Sequence, residues 1–332
     1  MVNDARWLLP EGVEEILPEE AQQLEMLRRA ILDDLSERGF KLVMPPVMEF
    51  VDSLLTGTGE ELDTQTYKFM DQHTQRMLGI RADITPQVAR IDAHYLDRDT
   101  VNRLCYAGTV LRTCPARIGE QRELLQVGAE LFGEQSETAD IEIIDAMLAT
   151  LRLAQVVDIT LSIGHVGIYR ALLKQQNIDV QTESILHDIL MRKSLPDLQQ
   201  LGNTIDVEPF ERLLKLSGSA EVTKQVHEAF ADLQGLKPAL AQLNAIIEHC
   251  RANHKINLHI DLADVAGYRY HTGLMYTAFT TGRGRSVAQG GRYDRIGQLF
   301  GRARPATGFS ACLLYTSPSP RDLSTSRMPS SA

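Results

Sequence analysis

The sequence predicts an α+β protein, in which an antiparallel sheet flanked by helices is interrupted by a long helical insertion. Three observations predict this class. Strand-like runs cluster between residues 103 and 132 and again between residues 257 and 289. Residues 165 to about 254 have an almost wholly helical pattern. The joins between neighbouring strands are hairpin-like. Because the strands are grouped together and separated from the helices along the chain, an α+β sheet is favoured over a doubly wound one.

The first half of the sheet domain opens with a helix and an edge strand. A helix is predicted over about residues 18–38, because Pro18 suits a first helical turn and Gly39 suits a helix stop. A short strand is predicted over residues 40–43. Pro45-Pro46 then ends this strand or places it at a sheet edge, because proline cannot donate to a strand ladder.

A second helix and a pair of strands follow. Thr85 has the character of an N-cap and Pro86 that of the first helical residue. Strands are predicted at residues 103–112 and 124–132, and their spacing suits an antiparallel pair. Ser136 is predicted to open a third helix.

The domain division follows from these patterns and from a change of composition at the end. The last 21 residues contain six serines and three prolines, and the apolar periodicity stops there. This segment resembles adapter-derived read-through tails, so we expect the native chain to continue differently beyond Ala311. The predicted parts are the first part of the sheet domain (1–164), the helical insertion (165–255), the second part of the sheet domain (256–311) and a non-native tail (312–332).

Composition narrows the classes of function. The 332 residues are 43% hydrophobic and carry a net charge of −10, which does not favour non-specific binding to a polyanion such as tRNA. The four cysteines form no Cys-x-x-Cys pair, so neither a disulfide framework nor a zinc site is predicted. No signal peptide or membrane span is predicted, and the cytoplasm is the expected location. The histidines at 94, 187, 227 and 249 show no metal-like grouping along the sequence, so no metal site is expected.

The strand at residues 124–132 carries the clearest candidate site. Alternation places Gln126, Gly128 and Glu130 on one face and aliphatic residues on the other. One interpretation is a half-buried strand whose polar face is solvated. The alternative is a polar pocket in which Gly128 leaves room for a ligand and Glu130 pairs with a cationic group of that ligand.

Three other positions also fit either a structural role or a ligand-binding role. Asp83, just before Thr85, suits a surface acid or a ligand contact. Arg112 ends a strand and suits either a solvated edge charge or a fork for a carboxylate or phosphate. Gly290-Gly291 suits a plain turn or a close approach of the backbone to a ligand.

Several segments, in this order, resemble the histidyl type of class II aminoacyl-tRNA synthetase core. Residues 266–273 read Ala-Gly-Tyr-Arg-Tyr-His-Thr-Gly, which is similar to the synthetase signature Arg-Gly-Leu-Asp-Tyr-Tyr-Thr-Gly. The resemblance spans roughly residues 9–311. The other matching segments are residues 39–49 (the dimer-forming first motif), 78–85, 111–126 (the second motif), 286–294 and 307–311.

The departures from that pattern imply that the chain is not a synthetase. Ala266 stands where the synthetase has its catalytic arginine, and Cys114, Pro115 and Glu120 replace residues of its ATP-binding loop. Loss of one pre-organised group of this kind costs on the order of 10²–10³ in rate. No catalytic residue and no cofactor are therefore expected. The resemblance implies a histidine-binding site formed by Asp83, Thr85, Arg112, Gln126, Glu130, Tyr270, His271, Gly291 and Tyr293.

A retained amino-acid site without adenylation chemistry resembles the regulatory subunits of ATP phosphoribosyltransferase. That family implies a hetero-oligomer with a short catalytic subunit, self-association as a dimer, and histidine as a feedback inhibitor of the first step of histidine biosynthesis, without a tRNA or membrane partner. A divergent histidyl-tRNA synthetase and a stand-alone histidine sensor are the alternatives. Histidine-dependent adenylation would distinguish the first alternative, and copurifying partners would distinguish the second.

Overall fold

The fold is built on one large sheet and one small sheet. The computed structural model describes residues 8–56, 60–97, 99–114, 121–265, 267, 270–282, 284–301 and 303–316. The strands of the large sheet are β1 (Lys41–Leu42), β5 (Asn102–Leu111), β6 (Glu123–Phe132), β7 (Thr160–His165), β8 (Ser217–Gly218), β9 (Asn257–Asp261), β10 (Leu274–Phe279), β11 (Ser286–Arg292) and β12 (Ala306–Cys312). The small sheet contains β2 (Met48–Phe50), β3 (Tyr67–Met70) and β4 (Met77–Ile80).

The large sheet has the order β1-β5-β6-β12-β11-β10-β7-β9-β8. Its neighbours are antiparallel except for two pairs, β1 with β5 and β7 with β9, which are parallel. A parallel pair needs a long crossover connection, and the helical insertion is the connection between β7 and β9. The predicted α+β class, the hairpin-like strand pair β5–β6 and the edge position of β1 are confirmed.

Helices cover the sheet and form the insertion. Those of the sheet domain are α1 (Pro18–Glu37), α2 (Val51–Leu54), α3 (Glu60–Gln65), α4 (Thr85–Tyr95), α5 (Glu137–Leu153) and α12 (Leu313–Thr316). Those of the insertion are α6 (Val166–Gln175), α7 (Val180–Met191), α8 (Leu195–Gln200), α9 (Glu208–Lys215), α10 (Val222–Ala229) and α11 (Leu236–Asn253), and short 3-10 helices occupy Leu201–Asn203 and Ile296–Phe300. None of the helices in the described ranges is both long enough and apolar enough to cross a bilayer.

Both faces of β6 are buried, which excludes the interpretation of a solvated polar face. Val127, Ala129 and Leu131 pack in the main core beneath α1 and α5. On the opposite face, Leu124 and Phe132 pack in a second core, in which α4 supplies Val88. Gln126 and Glu130 share this second face and are only 5% and 1% exposed. Of the two interpretations, the solvated polar face was therefore wrong, because α4 covers this face, and the ligand pocket stays a prediction.

The strand β12 runs slightly beyond the boundary predicted from composition. Cys312 pairs with Gln126 of β6, and Leu313 is fully buried. The core thus uses the first residues of the segment assigned to a tail, while residues 317–332 lie outside the described part of the chain. The division into parts stays a prediction.

Candidate ligand-binding site

Glu130 is a buried carboxyl group surrounded by hydroxyl donors. Its Oε1 accepts hydrogen bonds from Thr85 Oγ1 at 2.9 Å and from Tyr106 Oη at 3.1 Å. The hydroxyl of Tyr293 donates to Oε2. Burial raises the pKa of Glu130 to about 8, although its hydroxyl donors offset part of this effect. Near neutral pH, this carboxyl group therefore holds a proton that a cationic ligand would displace.

Gln126 connects β6 to the start of α4. Its side-chain oxygen accepts from the backbone N–H of Ile84 at 3.0 Å, and its Nε2 donates to Asp83 Oδ1 at 2.8 Å. Asp83 Oδ1 also accepts from the backbone N–H of Thr85 at 3.1 Å. Asp83 thus contributes a second carboxylate to the same face of the sheet.

Thr85 corrects one prediction about α4. It is the first residue of the helix rather than its N-cap, and Ile84 occupies the cap position without a side-chain hydrogen bond. The Thr85 hydroxyl is directed to Glu130 instead. A buried carboxyl group competes successfully for this donor, because an unsatisfied buried acceptor is costly.

Tyr270, His271 and Tyr293 form an aromatic wall beside Glu130. The ring centroids of Tyr270 and Tyr293 are 5.2 Å apart, and those of Tyr270 and His271 are 5.5 Å apart. The Tyr270 hydroxyl and His271 Nδ1 are buried and have no hydrogen-bond partner among the described residues. Burial lowers the pKa of His271 to about 4, so its ring is neutral at physiological pH. Buried polar atoms without partners are the groups that a polar ligand would satisfy.

Glycines let the backbone approach these side chains closely. A Cβ on Gly291 would lie 2.8 Å from His271 Nδ1. A Cβ on Gly308 would overlap the Glu130 carboxyl group, and one on Gly128 would overlap the Tyr106 hydroxyl. Gly290 and Gly291 lie within β11, so the plain-turn interpretation of this pair was wrong.

Arg112 is half-buried just after β5. Its Nε donates to the carbonyl of Ala82, next to Asp83, at 3.5 Å. The structure thus brings Arg112 to the segment that carries Asp83. Its role as a fork for a carboxylate stays a prediction. Cys114 is exposed, whereas Pro115, Glu120 and Ala266 lie outside the described residues.

The comparisons with known proteins agree with one another. A family model described as Histidyl-tRNA synthetase matches residues 12–314. An ATP phosphoribosyltransferase regulatory subunit of Methylococcus capsulatus is 47% identical over 319 residues, which cover 93% of this chain and 78% of that protein.

The chain belongs to the family of ATP phosphoribosyltransferase regulatory subunits.

Solved structures share its fold. An ATP phosphoribosyltransferase regulatory subunit/histidyl-tRNA synthetase from Bacillus halodurans is 26% identical with a TM-score of 0.84, covering 95% of this chain and 84% of that one. The ATP phosphoribosyl transferase (HisG:HisZ) complex from Thermotoga maritima contains a chain that is 20% identical with a TM-score of 0.68, covering 87% of this chain and 97% of that one. The class II synthetase-like fold and the assignment as a non-catalytic regulatory subunit of histidine biosynthesis are confirmed.

Sequence reasoning missed Tyr106, which donates to Glu130 in this regulatory subunit. Tyr106 pairs with Gly128 across β5 and β6, and the glycine leaves room for the tyrosine ring. A tyrosine on β5 and a glycine on β6 were both visible in the sequence. The 11-residue connection between the strands does not determine their register, however, so the two residues could not be paired from sequence.

A buried polar chain behind the site was also missed. Arg292, which lies between Gly291 and Tyr293, donates to Asp140 Oδ2 from Nη2 at 2.9 Å and from Nε at 3.2 Å. Gln242 of the insertion donates to the same oxygen at 2.6 Å. His165 Nδ1 accepts from the N–H of Gly167 at 3.1 Å, so its Nε2 donates to Gln242 Oε1 at 2.9 Å. β11, which carries Gly291 of the candidate site, is thereby connected to α5 and to α11.

Proposed function

We propose that the chain binds histidine beside Glu130 and makes a short catalytic subunit of ATP phosphoribosyltransferase sensitive to that amino acid. The observation that carries this proposal is a buried, hydroxyl-lined Glu130 beside the Tyr270 hydroxyl and His271 Nδ1, two buried atoms without a hydrogen-bond partner among the described residues. The carboxyl groups of Glu130 and Asp83 suit the ammonium group of an amino acid. Arg112, whose Nε donates to the carbonyl of Ala82 next to Asp83, suits the carboxylate of that amino acid.

The aromatic wall suits the imidazole ring of histidine. His271 is neutral, so one ring nitrogen donates and the other accepts a hydrogen bond. The Tyr270 hydroxyl both donates and accepts. Two such groups at one wall can satisfy both nitrogens of a bound imidazole, which an apolar side chain cannot do.

Regulation requires that histidine favour one of two states of the assembly. A coupling free energy of about 1–3 kcal/mol gives a 5–150-fold effect on the activity of the partner. The buried chain from Arg292 to Gln242 is a physical route from the site to the helical insertion. Membership of the regulatory-subunit family, and the occurrence of this fold in the Thermotoga maritima complex, support the assignment of a catalytic partner.

The test is to mix this chain with a short catalytic ATP phosphoribosyltransferase. We expect phosphoribosyl transfer from phosphoribosyl pyrophosphate to ATP only in the mixture, and inhibition of that activity by histidine. We expect no histidine-dependent exchange of pyrophosphate into ATP by the chain alone. Exchange would favour the divergent-synthetase alternative, whereas histidine binding without any effect on the partner would favour the stand-alone sensor.

We also propose that the chain self-associates through the surface around β1 and β2. Exposed apolar side chains are concentrated there, and they comprise Leu42, Met44, Val47 and Met48. Contiguous exposed apolar surface marks an interaction site more often than scattered residues do. The same segment resembles the dimer-forming first motif of the synthetases.

Met44→Glu is expected to weaken the dimer by more than about tenfold, because a buried methionine contributes about 1.5–3 kcal/mol and a buried charge costs more. Sedimentation or light scattering across a dilution series measures this change. Val180→Glu is the control, because Val180 and Met44 are both 82% exposed but Val180 lies at the start of α7. Equal dimer stability in the two variants would contradict the proposal.

A further inference from the structure

The structure brings together one carboxylate and two histidines, which belong to a different polar cluster from that of Glu130. Asp145 lies on α5, His249 lies on α11, and His254 directly follows α11. His249 Nε2 and His254 Nε2 are 2.8 Å and 2.7 Å from the same Asp145 oxygen, Oδ1. One potential ligand atom from each residue lies within 4.8 Å of the other two.

This grouping depends on the end of α11. In a continuous helix, residues five apart would point about 140° away from each other around the axis. The helix ends at Asn253, and His254 has the extended backbone angles φ −130° and ψ 139°. That change of direction returns the His254 ring to the side of His249, and their ring centroids are 5.7 Å apart. The interpretation of His249 as a lone histidine was therefore wrong.

We propose that Asp145, His249 and His254 form a site for a divalent transition-metal ion such as Zn²⁺. Two imidazole nitrogens and one carboxylate oxygen are a common three-residue ligand set for zinc, and water takes the fourth position. The His254 side chain is 7% exposed, whereas those of His249 and Asp145 are 23% and 29% exposed. The site is thus backed by protein on one side and open to an incoming ion on the other.

The group behind the His254 ring shows what must change when an ion binds. Arg152 Nη1 lies 3.2 Å from His254 Nδ1 and donates to it, so the ring holds its proton on Nε2, facing Asp145. Coordination through Nε2 requires the other neutral tautomer, in which the single ring proton has moved from Nε2 to Nδ1. Arg152 must then move away, and its exposed position allows this.

A bound ion would join the core to the end of the insertion. Asp145 belongs to the helix that packs on β6 and β12, and His254 lies where the chain returns to the sheet at β9. An ion that binds only the folded chain stabilises it, and the effect grows with the logarithm of the ion concentration above the dissociation constant. Stability in the presence of Zn²⁺ is therefore a second readout besides direct binding.

The test is a Zn²⁺ titration of the full chain without an affinity tag, monitored by competition with a chromophoric chelator. We expect one Zn²⁺ per chain, with affinity reduced at least about tenfold by His254→Gln and by His249→Gln. Glutamine keeps an N–H donor for Asp145, so folding is preserved. His227→Gln, at an exposed position on α10, is the matched control and should bind as the unmodified chain does.

Arg152→Glu provides the opposite test. A carboxylate that accepts from His254 Nδ1 stabilises the metal-binding tautomer, so Zn²⁺ should bind about tenfold more tightly. Arg251→Glu makes the same charge change on α11, two residues after His249, and separates this effect from general electrostatics. The proposal is overturned if the unmodified chain binds Zn²⁺ no more tightly than His254→Gln, or if Zn²⁺ raises the melting temperatures of both equally.

Discussion

Glu130→Gln is expected to weaken histidine binding by about 100-fold and to remove feedback inhibition. The substitution keeps the shape of the side chain but removes the buried carboxyl group that can become an anion beside the ligand's ammonium, and it leaves Asp83 in place. Truncating one member of a buried charge pair costs about 2–5 kcal/mol, which corresponds to about 30-fold or more. Isothermal titration of histidine into the chain, and inhibition of the mixed enzyme, measure the two effects.

The same residue predicts how histidine binding depends on pH. The pKa of Glu130 is raised to about 8 in the ligand-free chain, so a cationic ligand must displace a proton at lower pH. Affinity should therefore rise by up to about tenfold per unit between pH 6 and 7.5. Glu130→Gln should abolish most of this dependence.

Stability should change in the opposite direction to binding. The folded chain keeps a proton on Glu130 that the unfolded chain releases above about pH 4.5, its ordinary pKa. Raising the pH from 4.5 through 8 therefore favours unfolding of the unmodified chain, whereas glutamine carries no such penalty. Ligand-free Glu130→Gln should gain melting temperature relative to the unmodified chain as the pH rises through this window.

Glu123→Gln is the matched control, because Glu123 is an exposed residue at the start of the same strand, β6. It should leave histidine affinity and its pH dependence unchanged. Unaltered histidine affinity in Glu130→Gln would remove the basis for placing the ligand at this carboxyl group.

Asp140→Ala is expected to lower the free energy of unfolding by about 3–5 kcal/mol. Asp140 is fully buried and Arg292 is 4% exposed, so removing the acid takes away the closer carboxylate partner of a buried guanidinium group and leaves it Asp294 Oδ1 at 3.4 Å. Gln242 loses an acceptor at the same time. Chemical denaturation measures the change, and histidine affinity should also fall because Arg292 positions Gly291 and Tyr293.

Two further variants test the cause of that loss. Asp188→Ala removes an acid whose side chain is 72% exposed, and it should change stability by no more than about 0.5 kcal/mol. Combining Asp140→Ala with Arg292→Met removes both buried charges, so part of the lost stability should return. Arg292 also donates to the backbone carbonyls of Glu134 and Ser136. A double variant that is less stable than Asp140→Ala would show that these two hydrogen bonds contribute more to stability than the ion pair with Asp140.

Much of the site was predictable because its residues lie in short motifs with recognisable local roles. Gln126 and Glu130 alternate on one strand, and Asp83 and Thr85 precede a proline at a helix start. These patterns placed the residues on the correct elements. The order of the segments and their resemblance to the histidyl type of synthetase predicted the fold.

The packing of one element over another was not predictable from these local patterns. Alternation shows which residues share a face of β6, but it cannot show that α4 packs over Gln126 and Glu130, so the solvated face was a reasonable and wrong interpretation. The Thr85 hydroxyl lies at Glu130 rather than capping α4, because the burial of a carboxyl group 45 residues away changes the competition for its hydrogen bond.

By itself, the sequence determined the order of the longer helices and strands, the α+β class and the polar stripe that includes Glu130, because periodicity acts within a few residues. It did not predict the small sheet of β2, β3 and β4. Only the tertiary structure decided that Arg292 reaches Asp140, that Gln242 joins them from the insertion, and that His254 meets Asp145. These contacts join residues about 100 or more positions apart. Such pairings depend on how the sheet closes and how the insertion packs on it, and local hydrophobic patterns carry no information about either.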